Sequence, residues 1–338
     1  MVNDIVNTSI FKGRDIHLNT IHIQDMRGFS FGHAEDQDAL TGCSVILCET
    51  GAVGGVDVRG GAPGTRETDL LHPQNTVDTV HGVFLSGGSA FGLEVGTGVM
   101  TYLERKGVGL DVQVAKVPIV PGAILFDLFP GDPKIRPGKE MGINACEHAV
   151  HGESFQSGNV GAGTGATVGK VLGPQYAMRG GIGSYAVRIG DLEIGAVVAV
   201  NAFGDIMDPA TGEILAGAYD HDKKIFMNSA EQLKQQILNG ETNPFSGNTT
   251  IGSIVTNAVL TKAEANKLAS VGHNGIARMI QPAHTLSDGD TLFALSTNEI
   301  DVDLNGLATL AVEVVERAIY VAIVHATPVQ GIPSSNSI

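Results

Sequence analysis

The chain has 338 residues, 43% of them hydrophobic and 17% charged, which is enough apolar content for a core and argues against disorder. Its formal net charge of −15 repels phosphate backbones, and with no Trp and 5% aromatic residues it lacks the stacking platforms of a nucleic-acid binder. Gly supplies 45 residues without a G-X-Y period, so collagen is excluded and many tight turns and close backbone approaches are expected. The length fits one large domain or two intimate ones.

Met1–Arg14 shows no basic start followed by an apolar stretch, so no secretory leader is expected. No apolar run reaches the ~18 residues of a membrane span. Residues 1–40 read as short strands and loops. Ser44–Glu49 is a short apolar run and predicts a buried strand. Val56–Leu71 reads as a glycine-rich loop and a polar turn. Gly82–Leu85 predicts a strand that enters Ser86–Ser89 and then a helix over Ala90–Lys106. Val112–Ile124 is β-branched and punctuated by Pro, hence strand and turn; Lys139–Val150 predicts a short helix.

Gly158–Gly169 is glycine-dense and aperiodic. Gly181–Asn201 carries Gly190-Asp191 between two apolar runs, a hairpin signal. A helix over Asn228–Leu238 has Ser229 and Gln232 in capping-box spacing. Asn239–Asn248 is a polar loop and the best break in the chain. Thr250–Leu260 predicts a strand, and Thr261 with Glu264 opens a helix reaching Met279. Thr291–Ser296 predicts a strand, and Leu307–His325 a mostly apolar helix sandwiched in the core. Strands and helices mix without a regular βαβ count, so an α/β sandwich with helix-covered sheets is expected.

Most candidate chemistry has a plain structural reading. Gly161–Ala166 matches G-x-G-x-x-A, yet Gly169, Gly173 and Pro174 interrupt the helix that a dinucleotide site needs. Lys170 hints at a phosphate loop whose other positions are wrong. Ser89 misses the G-x-S-x-G spacing by one residue, so a strand-to-helix turn is favoured. Three cysteines, Cys43, Cys48 and Cys146, form no C-x-x-C pair; reduced thiols and a cytoplasmic setting are expected, with no metal and no cofactor. Asp288-Gly289-Asp290, taken alone, reads as a turn.

Asn248-Thr249-Thr250 lies where the polar loop meets a strand. It fits an Asx-type turn and an N-x-[ST] sequon. A sharper reading is also open: a Thr at such a boundary can attack the preceding carbonyl and free itself as a new N-terminus. Its α-amine, with an ordinary pKa of about 7.7–8.0, then serves as base for its own hydroxyl.

Six stretches decide between these readings. They are VDVRGGAPGTRETDLL at Val56–Leu71, FLSGGSAFGLEVGTGVM at Phe84–Met100, GAGTGATVGK at Gly161–Lys170, AVVAVNAFGD at Ala196–Asp205, GNTTIGSIVTNAVLTKAEANKLA at Gly247–Ala269 and IQPAHTLSDGDTLFALST at Ile280–Thr297. In this order they make a chain that resembles the autoprocessing L-aminopeptidase D-amidase/esterase family. That family includes the β-aminopeptidases and the endo-type hydrolase of 6-aminohexanoate (nylon) oligomers.

The resemblance implies an α/β, four-layer αββα sandwich of the N-terminal-nucleophile type. It implies one domain, cleaved between Asn248 and Thr249 into an α chain, 1–248, and a β chain, 249–338, that stay packed and assemble as homo-oligomers, often tetramers of the cleaved heterodimer. Thr249 is then the nucleophile and Asn201 the oxyanion donor. Lys170 lies near the nucleophile, where its charge keeps the terminal amine neutral and basic. Asp288 and Asp290 orient the Thr249 amine or bind a substrate amine. Phe126, Gly87 and Gly88 are expected to line the substrate site. Phe126 stands where the family commonly has Tyr, so a hydroxyl is missing; Thr at 249 rather than Ser leans toward the nylon-hydrolase side. The implied substrates are short peptides, amino-acid amides or esters, or ω-amino-acid oligomers, with no nucleic-acid or membrane partner. The alternatives are an uncleaved binding or assembly protein on the same fold and an acyltransferase.

Overall fold

The computed structural model describes residues 18–241 and 247–338. The N-terminal stretch read above as lacking a leader lies outside the described residues, as does the middle of the 239–248 loop.

The main strands are β1 (Asn19–Ile21), β2 (Ser30–Asp36), β3 (Thr41–Val58), β4 (Thr65–Arg66), β5 (Thr79–Ser86), β6 (Gly122–Ile124), β7 (Gly181–Ile189), β8 (Leu192–Asn201), β9 (Thr249–Ala258) and β10 (Thr291–Ile300). The α-helices are α1 (Val95–Arg105), α2 (Lys139–His151), α3 (Ser229–Asn239), α4 (Lys262–Met279) and α5 (Leu304–Val324). The strands hydrogen-bond in the order β1-β7-β8-β9-β10-β3-β5-β6-β4, and β2 pairs with β3.

β3 explains how one ladder makes two layers. Its first half, Thr41–Leu47, pairs with β2 and β5, and its second half, Val53–Val58, pairs with β10. The Ser44–Glu49 strand expected from the sequence is therefore only part of a much longer strand. Its continuation is rich in Gly, and Gly55 permits the contact with α4, where a Cβ would lie 2.2 Å from the Ala265 carbonyl carbon.

Alternation along each strand sorts side chains into separate cores. Val197, Ala199, Ile251, Val255, Phe293 and Leu295 meet Ile46, Val83 and Leu85 between the two sheet halves. Val198, Val200, Ile254, Leu292 and Ala294 point the other way, against α4 and α5. Val45, Leu47 and Phe84 face α1 and α2. The order is helix, sheet, sheet, helix: the expected four-layer sandwich.

Local signals explain several boundaries. Gly190 has φ +58° in the tight β7–β8 turn. Thr261 and Glu264 form a reciprocal capping box at the start of α4. Two expectations need correction. The helix expected from Ala90 opens as a 3-10 turn over Ser89–Glu94, because Gly92 packs on the Gly87 carbonyl, where a Cβ would lie 1.9 Å away. The cap of α3 is Asn228, whose side chain accepts from Glu231 N, and not Ser229. Ser229 is buried, and its N–H and hydroxyl both donate to Asp205. The three cysteines are free and buried. Among the described residues no helix is long and apolar enough to cross a membrane.

Candidate active site

Thr249 is the first residue of β9. That strand runs through the centre of the sheet, antiparallel to β8 and parallel to β10, and every residue of it is buried. Thr249 is 4% exposed, and its hydroxyl donates to the carbonyl oxygen of Asn248, its own preceding residue. The same carbonyl oxygen accepts the Gly289 N–H at 2.9 Å. Asn248 is buried with neither side-chain amide atom hydrogen-bonded.

Asn201, the last residue of β8, stands opposite Thr249 across the antiparallel ladder. Its amide is fixed on both sides. Oδ1 accepts Thr167 N at 3.0 Å and Lys170 Nζ at 2.9 Å; Nδ2 donates to the Phe126 carbonyl at 2.9 Å. An amide nitrogen carries two N–H groups, so this arrangement holds a second donor in a set direction.

Lys170 is 1% exposed and donates to three oxygens: Asn201 O and Oδ1, each at 2.9 Å, and Gly247 O at 3.5 Å. Burial drags its ammonium down to about 7, against the pull of Asp288 and Asp127. The glycine-dense segment makes this approach possible. At Gly169, φ +72°, a Cβ would stand 2.0 Å from the Gly217 carbonyl carbon.

The two acids do different things. Asp290 accepts Thr250 N at 2.6 Å with Oδ1, and with Oδ2 it meets His284 N at 3.0 Å and His284 Nδ1 at 2.8 Å. It therefore holds the residue after Thr249. Asp288 takes Thr285 N at 2.7 Å and Thr285 Oγ1 at 2.6 Å on Oδ2. Burial and the neighbouring Asp290 push its carboxyl up to about 6. His284 has φ +56°, an uncommon conformation for a side-chain-bearing residue, and this bends its ring back to Asp290.

Phe126 presents its carbonyl to Asn201 and its ring to Gly247, where φ is +120° and a Cβ would lie 2.7 Å from the ring. The next residue, Asp127, is buried and accepts Gly88 N at 2.6 Å and Thr41 Oγ1 at 2.7 Å. Burial raises its carboxyl to about 6. Gly87 lies so close that a Cβ would sit 1.9 Å from Asp127 Oδ2. Gly87 and Gly88 thus brace Asp127 from behind, one residue along the chain from Phe126.

Five residues expected at the site, Thr249, Asn201, Lys170, Asp288 and Asp290, come together from separate parts of the chain. A buried hydroxyl against its own preceding carbonyl, ringed by fixed donors, suits acyl transfer within and beyond the chain.

The sequence profile of peptidase family S58 matches residues 21–336. The chain belongs to peptidase family S58. An uncharacterized aminopeptidase of Mycobacterium bovis is 38% identical over 343 aligned positions, covering 92% of this chain and 96% of the relative. A 6-aminohexanoate-oligomer endohydrolase of Kocuria sp. is 38% identical over 281 positions, covering 82% of this chain and 75% of that protein. The L-aminopeptidase D-Ala-esterase/amidase of Ochrobactrum anthropi, described as a variant among the Ntn hydrolase fold, superposes with TM-score 0.64 at 18% identity, over 92% of this chain and 88% of its own. That likeness carries the fold, and the family places the chain among amide-bond hydrolases.

Within this S58 peptidase, two features carry no local sequence signal. Gly289 reads as the middle of a turn, and nothing in a single Gly tells which carbonyl its N–H faces. His284 stood six residues before Asp290, too far for a local pairing to be read without the backbone turn that joins them.

Proposed function

We propose that this S58 peptidase is a self-processing amide hydrolase with Thr249 as its nucleophile. The observation that carries the reading is the contact of the Thr249 hydroxyl with the Asn248 carbonyl at the head of a buried central strand. Thr249 Oγ1 attacks the Asn248 carbonyl carbon and the Asn248–Thr249 C–N bond breaks. Neutral Lys170, which has two N–H groups and so gives up its long contact with Gly247 O at 3.5 Å, carries the hydroxyl proton to the departing Thr249 nitrogen. Water then hydrolyses the resulting ester, leaving an Asn248 carboxylate and a free Thr249.

In the mature enzyme the Thr249 α-amine is the base for its own hydroxyl. The hydroxyl attacks a substrate amide, the second N–H of Asn201 Nδ2 holds the oxyanion, and the leaving amine takes the proton. Water releases the acyl group in a second round. The substrates are short peptides with a free amino end, amino-acid amides or esters, and ω-amino-acid oligomers. The names of the aminopeptidase and oligomer-hydrolase relatives support that class.

The test is intact mass under denaturing conditions together with a panel of aminoacyl amides and 6-aminohexanoate oligomers. The expected result is two chains, 1–248 and 249–338, with amide hydrolysis. Thr249→Ala should stay one uncleaved chain without activity. A Thr249→Ala protein that still splits and hydrolyses amides overturns the reading.

A further inference from the structure

We infer that the backbone N–H of Gly289 is the oxyanion donor of the self-cleavage step, a task separate from the one Asn201 performs on substrates. The inference rests on the self-processing reading above and adds to it a division of labour.

The scissile carbonyl is already aimed. Asn248 O accepts Gly289 N–H at 2.9 Å, and Asn248 and Asp288 form an isolated parallel bridge. When Thr249 Oγ1 bonds to the Asn248 carbonyl carbon, the C=O electron pair moves onto this same oxygen. The negative charge therefore develops in front of the Gly289 donor, without reorganisation. The hydroxyl proton leaves by the lysine, the C–N bond breaks, and the ester carbonyl re-forms. Asn201 Nδ2 gives one N–H to Phe126 O and keeps the other for the substrate's oxyanion.

The donor is fixed at both ends of its peptide. The Asp288–Gly289 unit gives its N–H to Asn248 O, and its carbonyl, Asp288 O, accepts Ala62 N at 2.8 Å. The flanks are held too. Arg59 N and Gly60 N both donate to Asp290 O, at 2.9 and 3.3 Å, and Gly61 N donates to Thr285 O at 3.1 Å. The Asp288 and Asp290 side chains tie the loop to Thr285, His284 and Thr250. A donor that cannot turn away is the kind that lowers a barrier.

Position 289 also has to be glycine. A Cβ there would lie 2.9 Å from Thr249 Oγ1 and 2.9 Å from the Ala62 carbonyl oxygen, so any side chain would displace the nucleophile or the loop. The glycine-rich stretch at 59–62 supplies the opposing wall. At Gly60 a Cβ would meet Asp288 O at 2.2 Å.

The test removes the N–H and also weakens Asp288 O as the acceptor of Ala62 N, an effect the second ester controls for. The full chain is made with glycolic acid at position 289, which replaces the amide by an ester and keeps the shape. Cleavage is followed in time by intact mass, beside wild type and beside a second chain with the ester at Ala62. That control loses one loop hydrogen bond but keeps the Gly289 donor. Removing one oxyanion donor typically slows a reaction by about 10²–10³-fold. The expected result is a loss of that size in self-cleavage for the 289 ester and less than about tenfold for the 62 ester. Turnover per matured chain, once cleavage has run its course, should fall clearly less than self-cleavage does. Normal cleavage of the 289 ester, equal slowing by both esters, or an equal fall in cleavage and turnover overturns the inference. Failure of the wild-type chain to cleave overturns the self-processing reading instead.

Discussion

Lys170 changes charge near neutral pH. Its ammonium is buried among three oxygens, and burial brings its pKa down to about 7. A base acts in its neutral form, and the neutral fraction of Lys170 grows as pH rises through about 7. Self-cleavage of fresh precursor should therefore quicken from pH 5 to 7, by roughly tenfold per unit well below the pKa, and level off above it. Stopped time points read by intact mass give the profile. A rate that falls over this range would remove Lys170 as the base. At the same scale, the Phe126 carbonyl orients Asn201. This part of the site depends on the backbone and not on the side chain at 126.

Helix α4 shows how an element serves the site from a distance. Its capping box fixes where it starts, and its buried face carries Ala265, Leu268, Ala269 and Ile276 onto the sheet that holds β9 and β10. It also carries His273, whose ring packs edge-on to His284 with centroids 4.8 Å apart. Burial lowers His273 to about 4, so the ring that supports His284 is neutral at ordinary pH. Thr261→Ala removes the cap hydroxyl, which is ordinarily worth about 1 kcal/mol. A urea titration of the variant should show a loss of that size with the denaturant slope unchanged. An unaltered midpoint would mean that packing alone sets the start of the helix.

For the whole molecule, the order β8-β9-β10-β3 matters most. The proposed cleavage leaves β9, α4, β10 and α5 in one chain and β8 and β3 in the other. The β9–β10 pair lies between β8 and β3, hydrogen-bonded to the first chain on both sides, and Phe293 and Leu295 are buried against its residues between the sheets. Separation would open two ladders and two cores at once. The cut protein should therefore run as one species in native size exclusion and as two chains in denaturing gels. Independent elution of 249–338 from a native column would contradict this picture. We also propose that the cleaved protein assembles into homo-oligomers, as the family resemblance implies, and the mass of that same native species tests it.

The elements with strong local signals were legible in the sequence: the β7–β8 hairpin with its Gly190 turn, α4 with its capping box, and the apolar α5. Thr249, Asn201, Lys170, Asp288 and Asp290 were legible through ordered motifs that resemble a family, because each motif keeps its residue types in a recognisable local pattern. The length of β3 was not, since its glycines read as loop until α4 is seen to need them. Nor were the partners of Asn248 O and Asp290, which come from a loop about forty residues downstream of the proposed cleavage point and from a backbone turn at His284. Local periodicity and capping act over a few residues and leave a trace in the chain order. The direction of a single N–H beside Thr249 depends on how distant segments pack, and only the tertiary structure fixes it.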